Sequence, residues 1–182
     1  MIYTKANVVD ADTCKQLIEY FDTHPEQLRK TEDLAQTDFD GMIMNPYNVS
    51  NPELLKKLEV LRTKLTVEMS KRYHTTLYLD YWDLVKWGPG GWMDFHADNV
   101  DQERKPHWYC GWRSHSAIVY LNQEFEGGET VFRDQNVNIF PETGKALMFP
   151  AGFDYTHGVN EVDNNRYTVS LWFTEDPEHQ LI

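Results

Sequence analysis

From residue 76 onward the chain breaks into short apolar or alternating segments separated by turn residues. No other feature constrains the fold as much. The segments are "TLYLDYWDLVKW", "SAIVYLN", "ETVFRD", "VNIF", "KALMFP", "HGVNEV" and "RYTVSLWF". Many short strands punctuated by Gly, Pro and Asn indicate an all-β sandwich or barrel. Before residue 75 the pattern is helical. Ala11, Cys14, Leu17, Ile18 and Phe21 recur at helical spacing behind Asp10, a suitable N-cap, and His24-Pro25 ends the run. A second helix begins at "SNPE", where Ser50 and Glu53 have capping-box spacing and Pro52 lies in the first turn. Its stripe of Leu54, Leu55, Leu58, Leu61, Leu65 and Met69 runs to about Arg72. The expectation is a mostly β fold with flanking α-helices and a double-stranded β-helix (jelly roll) core. The helical part covers about 1–75 and the jelly roll about 76–176, within one domain spanning 1–182. The polar, irregular stretch at 30–49 is either a lid or a surface connection.

Composition narrows the function. With 41% apolar and 14% aromatic residues the chain can fill a core, and it has no apolar run near twenty residues, so no membrane span is expected. The start "MIYTKANVVD" lacks the pattern of a secretory leader. Cys14 and Cys110 are too few for a disulfide framework or a Cys-rich zinc site, so a reducing, cytoplasmic setting is expected. Against 17 basic residues stand 29 acidic ones, a formal charge of −12 that repels phosphate backbones and weighs against a nucleic-acid partner.

The stretch "WMDFHADNV" ends a strand-like run with His96 and Asp98. Positions two apart on an extended backbone point the same way, with about 7 Å between Cα atoms, so the two side chains can share one ion. An imidazole plus a carboxylate suits divalent iron, manganese or zinc, and the common open iron site uses two histidines and one carboxylate. His74, His107, His115, His157 and His179 are candidates for the second imidazole. Only His157 opens a strand-like segment after a full apolar strand, "KALMFP", and a turn, "AGFDYT". A lone His-x-Asp is weak, because such pairs usually sit on the surface or cap turns.

The last strand adds weight. Arg166, Thr168, Ser170 and Trp172 share one of its faces, while Tyr167, Val169, Leu171 and Phe173 share the other, which is core. A guanidinium inside a barrel needs an anionic partner. Either a ligand carboxylate, gripped by two parallel hydrogen bonds, or a structural Asp or Glu supplies it.

Three segments carry a resemblance to the iron(II)- and 2-oxoglutarate-dependent dioxygenases of the prolyl 4-hydroxylase type. They are "HAD" behind "WGPGGW", the hairpin "SAIVYLNQEFEGGETVF", and "GKALMFPAGFDYTHGVNEVDNNRYTVSLWF". Together they span about residues 76 to 176. The resemblance implies that His96, Asp98 and His157 hold Fe(II) as the catalytic metal centre. It implies that Arg166 binds the far carboxylate of 2-oxoglutarate, supported by Tyr120 and by Thr168 or Ser170, and that O2 completes the reaction, with ascorbate as a candidate further cofactor. Oxidative decarboxylation of 2-oxoglutarate would give succinate and CO2 and leave a hydroxyl on an unactivated carbon. Tyr120 and Trp172 also fit ordinary core positions. The chain departs from the family in having Trp87 and Met93 where tyrosines are usual, both beside the co-substrate or substrate. The loop at 100–115 carries Trp108, Tyr109, Trp112 and Arg113, which either clamp a substrate or fold back on the sheet, and the first reading is preferred. With Trp87 and Trp172, Trp108 and Arg113 are the candidate substrate contacts. A prolyl residue in a peptide or protein is the first choice of substrate, a free amino acid or small metabolite the second. The rival readings are a cupin-like metal protein that does not use 2-oxoglutarate, and a non-catalytic jelly-roll module that binds sugar or peptide.

Overall fold

The structure is a computed structural model, and it describes residues 1–30 and 41–181. In chain order its elements are β1 (Tyr3–Lys5), α1 (Ala11–Thr23), β2 (Arg29–Lys30), β3 (Gly41–Met44), α2 (Pro52–Tyr73), β4 (Tyr78–Trp87), β5 (Met93–His96), β6 (Arg113–Tyr120), β7 (Thr130–Phe132), β8 (Val137–Ile139), β9 (Ala146–Pro150), β10 (His157–Val159) and β11 (Arg166–Thr174). All seven strand segments anticipated from the sequence form strands. The described strands make two antiparallel sheets facing each other, one ordered β1-β9-β6-β11-β4-β3-β2 and the other β5-β10-β7-β8. This is the two-sheet arrangement of a jelly roll.

Strand β11 lies at the centre of the larger sheet, paired with β4 and β6 on its two sides. Both ladders bury it, so its alternation sorts side chains between two interiors rather than between core and water. Its odd-numbered residues Tyr167, Val169, Leu171 and Phe173 join Leu17, Phe21, Leu58, Leu65 and Met69 in one apolar core under the two helices. A second cluster of Tyr120, Phe132, Leu147 and Phe149 fills the space between the sheets.

The helix ends follow local chemistry. Asp10 caps α1 as expected, accepting from the Thr13 amide and hydroxyl at 2.8 Å each. For α2 the capping box anticipated at Ser50 and Glu53 is not formed. Asn51 is the cap instead, its side-chain oxygen accepting from the Glu53 and Leu54 amides at 3.1 Å. The reason is Pro52, which takes the first helical position and leaves the residue before it as the cap. Ser50 turns to Tyr20, its amide donating to the tyrosine oxygen at 2.8 Å, and so ties the start of α2 to α1.

The stretch expected to be irregular at 30–49 contains a strand. Gly41–Met44 is strand β3, registered along β4 from Gly41 opposite Trp87 to Met44 opposite Leu84. The lid reading falls mainly on residues 31–40, which lie outside the described residues. No helix among the described residues is long and apolar enough to cross a membrane.

Candidate active site

The inner face of the larger sheet and strands β5 and β10 of the smaller one enclose a cavity of ≈ 130 Å³. Antiparallel pairing brings the metal-ligand candidates together: His157, the first residue of β10, is registered opposite His96, the last of β5. Asp98 lies two residues past His96, its amide donating to the Ala151 carbonyl at 3.0 Å. One ligand atom from each of His96, Asp98 and His157 lies within 4.8 Å of the others. The imidazole rings of His96 and His157 are 4.5 Å apart between centroids, and His96 Nε2 is 3.6 Å from Asp98 Oδ1.

Neighbours orient each of these groups. His96 Nδ1 lies 2.9 Å from the Asp94 carbonyl and His157 Nδ1 lies 3.1 Å from the Tyr155 carbonyl. Each contact places the proton on Nδ1 and turns the Nε2 lone pair toward the centre. The hydroxyl of Ser116 on β6 donates to Asp98 Oδ2. The strand alternation that turns Tyr120 inward also turns Ser116 and Ile118 inward, and that was the available signal for Ser116.

Electrostatics prepare the same groups. Burial and the neighbouring His96 push the His157 imidazole down to about 4, so it is neutral with its lone pair available. Burial opposes charge on His96 as well, but contact with Asp98 raises it above its ordinary value. Asp98 is buried, which works against ionisation, yet His157, His96 and the Ser116 hydrogen bond hold it well below the carboxylate range. Two imidazoles and a carboxylate, with no thiolate, are the donors that suit an open ferrous site.

Arg166 lies deeper in the cavity, at 2% exposure. Its guanidinium carbon is 5.3 Å from the ring centres of both Trp87 and Tyr120. Nε donates to the Gly128 carbonyl at 3.2 Å. Gly128 has φ +67°, and a Cβ there would sit 2.8 Å from the Phe125 ring and 3.1 Å from Arg166 Cδ, so glycine is needed for this approach. Nη2 of Arg166 is buried without a hydrogen-bond partner among the described residues. Burial lowers its pKa, with the nearby Tyr120 acting in the opposite direction. No carboxylate among the described residues pairs with it. An orphaned, buried donor fits the distal carboxylate of 2-oxoglutarate.

The other anticipated residues divide. Thr168, Ser170, Trp172 and Trp87 line the cavity. Tyr120 is fully buried behind it, its hydroxyl 2.7 Å from Thr130 Oγ1, a partner the sequence had not indicated. Arg113 lies at the rim, its Nε donating to Asp80 Oδ2 at 2.7 Å and its guanidinium 4.8 Å from the Trp172 ring. Trp108 points away, 90% exposed and packed only edge-on against Tyr109. Asp83, Ile43, Val85 and Val159 also line the cavity and were not singled out from the sequence.

A two-sheet antiparallel roll with a His-Asp-His centre and a buried arginine in one cavity defines a non-haem metal oxygenase class. A profile described as the 2OG-Fe(II) oxygenase superfamily matches residues 69–174, more than half of the chain. The chain therefore belongs to the 2OG-Fe(II) oxygenase superfamily, whose cofactors, Fe(II) and 2-oxoglutarate, fit the donors just described. Human prolyl 3-hydroxylase 2 is 32% identical over 137 residues, an alignment covering 64% of this chain and 19% of that protein. Chicken prolyl 3-hydroxylase 1 is 41% identical over 73 residues, covering 37% of this chain and 10% of that one. The chain thus spans about a fifth or less of the curated relatives it matches. Among solved structures, a Pseudomonas putida prolyl-4-hydroxylase superposes with a TM-score of 0.73 at 18% identity, over 96% of this chain and 92% of that one. A Trichoplax adhaerens prolyl hydroxylase, solved with a hypoxia inducible factor peptide, gives 0.77 at 15% identity, over 98% and 85%. At those identities the likeness is one of fold.

Proposed function

We propose that the protein is an Fe(II)- and 2-oxoglutarate-dependent hydroxylase acting on a prolyl residue in a peptide or protein. The observation that carries this reading is the buried, incompletely partnered Arg166 in the same cavity as the His96, Asp98 and His157 cluster. The prolyl assignment draws on the names of the curated relatives and of the solved structures of like fold. In this reading His96, Asp98 and His157 hold the iron. Arg166 takes the distal carboxylate of 2-oxoglutarate through Nη2. Thr168 lines the cavity beside it, and Tyr120 backs the guanidinium from the core. Held there, Fe(II) and 2-oxoglutarate would supply, with O2, the oxidising power for the hydroxylation, 2-oxoglutarate leaving as succinate and CO2.

The chain's own residues position and exclude. The Nδ1 contacts hold both imidazoles in register, the Ser116 hydroxyl holds Asp98, and Val85, Ile43 and Val159 give the remaining space an apolar lining that excludes water. Trp87 and Trp172 wall the cavity at its two ends, the first against Arg166 and the second beside Arg113 at the rim.

Anaerobic addition of Fe(II) and 2-oxoglutarate is expected to produce the visible charge-transfer band of the bound pair, absent in His96→Ala. Succinate formation should then rise on adding proline-containing peptides, and mass spectrometry should find one added oxygen. A band without any role for Arg166 would favour a metal protein that does not use 2-oxoglutarate. Absence of tight metal binding would favour a non-catalytic module.

A further inference from the structure

We propose that Asp83 determines substrate specificity, its carboxylate receiving a protonated nitrogen that the substrate carries beside the carbon to be oxidised. This rests on the hydroxylase reading above and names the substrate class for that site.

Among the described residues, five titratable side chains face the cavity: Asp83, His96, Asp98, His157 and Arg166. The last four have partners in the metal and the keto acid. Asp83 has none. It lies on β4 opposite Ser170 of β11, whose hydroxyl faces the same cavity, and it is 4% exposed. The Tyr81 hydroxyl donates to its Oδ1 at 3.1 Å. The guanidinium of Arg29 stays 3.7 Å from Oδ2, and its side chain is 59% exposed. One neutral donor and one solvent-screened cation are meagre compensation for a buried carboxylate.

Charge counting sharpens the point. A ferrous ion and Arg166 together balance Asp98 and the two carboxylates of 2-oxoglutarate, which leaves Asp83 with the exposed Arg29 as its counter-charge. Beside it the Tyr81 and Trp172 rings stack at 6.0 Å, and the Arg113 guanidinium lies 5.8 and 4.8 Å from their centres, so the aromatic pair next to this carboxylate already accommodates one cation. Burial pushes Asp83 up to about 6, only partly countered by Arg29, Tyr81 and Arg113, so it is largely ionised at neutral pH. The chain's charge of −12 favours a cationic partner in the same sense.

A prolyl nitrogen inside a peptide bears no hydrogen, so the donor is either a chain-terminal prolyl nitrogen or a group elsewhere on the substrate. Two sources share the chemistry: the ammonium of a chain that begins with the prolyl residue, and a lysine or arginine side chain next to it. The test uses the full chain loaded anaerobically with Fe(II) and 2-oxoglutarate, so that calorimetric peptide binding is read without turnover. Two matched pairs are compared, a lysine against an acetyl-lysine neighbour of proline, and a free against an acetylated N-terminal proline. The wild type is expected to bind the cationic member of one pair about tenfold tighter or more. Asp83→Asn should reduce that ratio below about twofold, and the pair that responds identifies the source. Asp83→Ser is measured alongside, with circular dichroism, so that a folding defect in one variant leaves the other decisive. Equal binding within both pairs by the wild type, or a preference surviving in both variants, overturns the proposal. Succinate release in air separates the two readings. A cation preference without turnover on any peptide supports Asp83 and counts against the prolyl hydroxylase, whereas turnover with no preference does the reverse.

Discussion

The two faces of strand β11 carry opposite kinds of order. Toward the helices, Val169, Leu171 and Phe173 are fully buried among apolar side chains, and that face is complete as it stands. Toward the smaller sheet, Arg166, Thr168, Ser170 and Trp172 border a cavity, and Nη2 of Arg166 finds no partner among the described residues. One backbone thus serves a core that folding satisfies and a site that only a ligand can satisfy. Unspent polar capacity inside a fold marks function better than polarity alone.

Substitutions on the two faces should therefore separate stability from activity. The largest contrast is between His157→Ala and Phe173→Ala. The first is expected to abolish succinate formation and tight Fe(II) binding. The second should cost about 3–5 kcal/mol of stability in urea unfolding, through the cavity left under α1 and α2. Next, Ser116→Ala leaves Asp98 without its hydroxyl donor, and Fe(II) affinity read by competition with a chromophoric chelator should fall about 10- to 100-fold.

Asp83 gives a smaller effect with a definite sign. Its carboxylate is pushed up to about 6 by burial, so the folded state holds this proton more tightly than the unfolded chain does. The cost of ionising it in the fold is absent below about pH 4, grows as pH rises through 6, and is complete above that. Asp83→Asn should accordingly flatten the decline in stability between pH 4 and 7 and make the variant more stable at neutral pH by about 2–3 kcal/mol, measured by urea titration at each pH. Smallest of all, Asp10→Ala removes the cap of α1 and should cost about 1 kcal/mol on the helix side with no change in metal affinity.

Much of this was legible in the residues, unevenly. Strand alternation alone put Arg166, Thr168, Ser170 and Trp172 on one face and assigned the other to the core, because the period of two survives any tertiary context that keeps the strand. His96 and Asp98 could be paired by the same argument, and His157 was chosen by its place after an apolar strand. Ser116 and Asp83 were missed because a single small or acidic residue in a strand has no periodic signature. Their importance comes from Asp98, 18 residues from Ser116, and from the cavity they share. Trp108 and Arg113 show the reverse. Both looked like substrate contacts on a loop, but Asp80, 33 residues away on another strand, claims the guanidinium at the rim, and the indole of Trp108 stands in solvent.

The amino-acid sequence by itself determined the strand inventory from residue 76 onward, the two helices, the inward face of β11 and the candidate metal-ligand trio. Those features depend on local periodicity, turn chemistry and residue type, which act over a few positions. Only the tertiary structure decided how the polar groups are partnered: that no carboxylate among the described residues pairs with Arg166, that Tyr120 bonds Thr130, that Asn51 rather than Ser50 caps α2, and that Asp83 faces the cavity of the candidate metal centre. Partnering is a property of distant segments meeting in space, and antiparallel sheets bring together residues that no window along the chain contains.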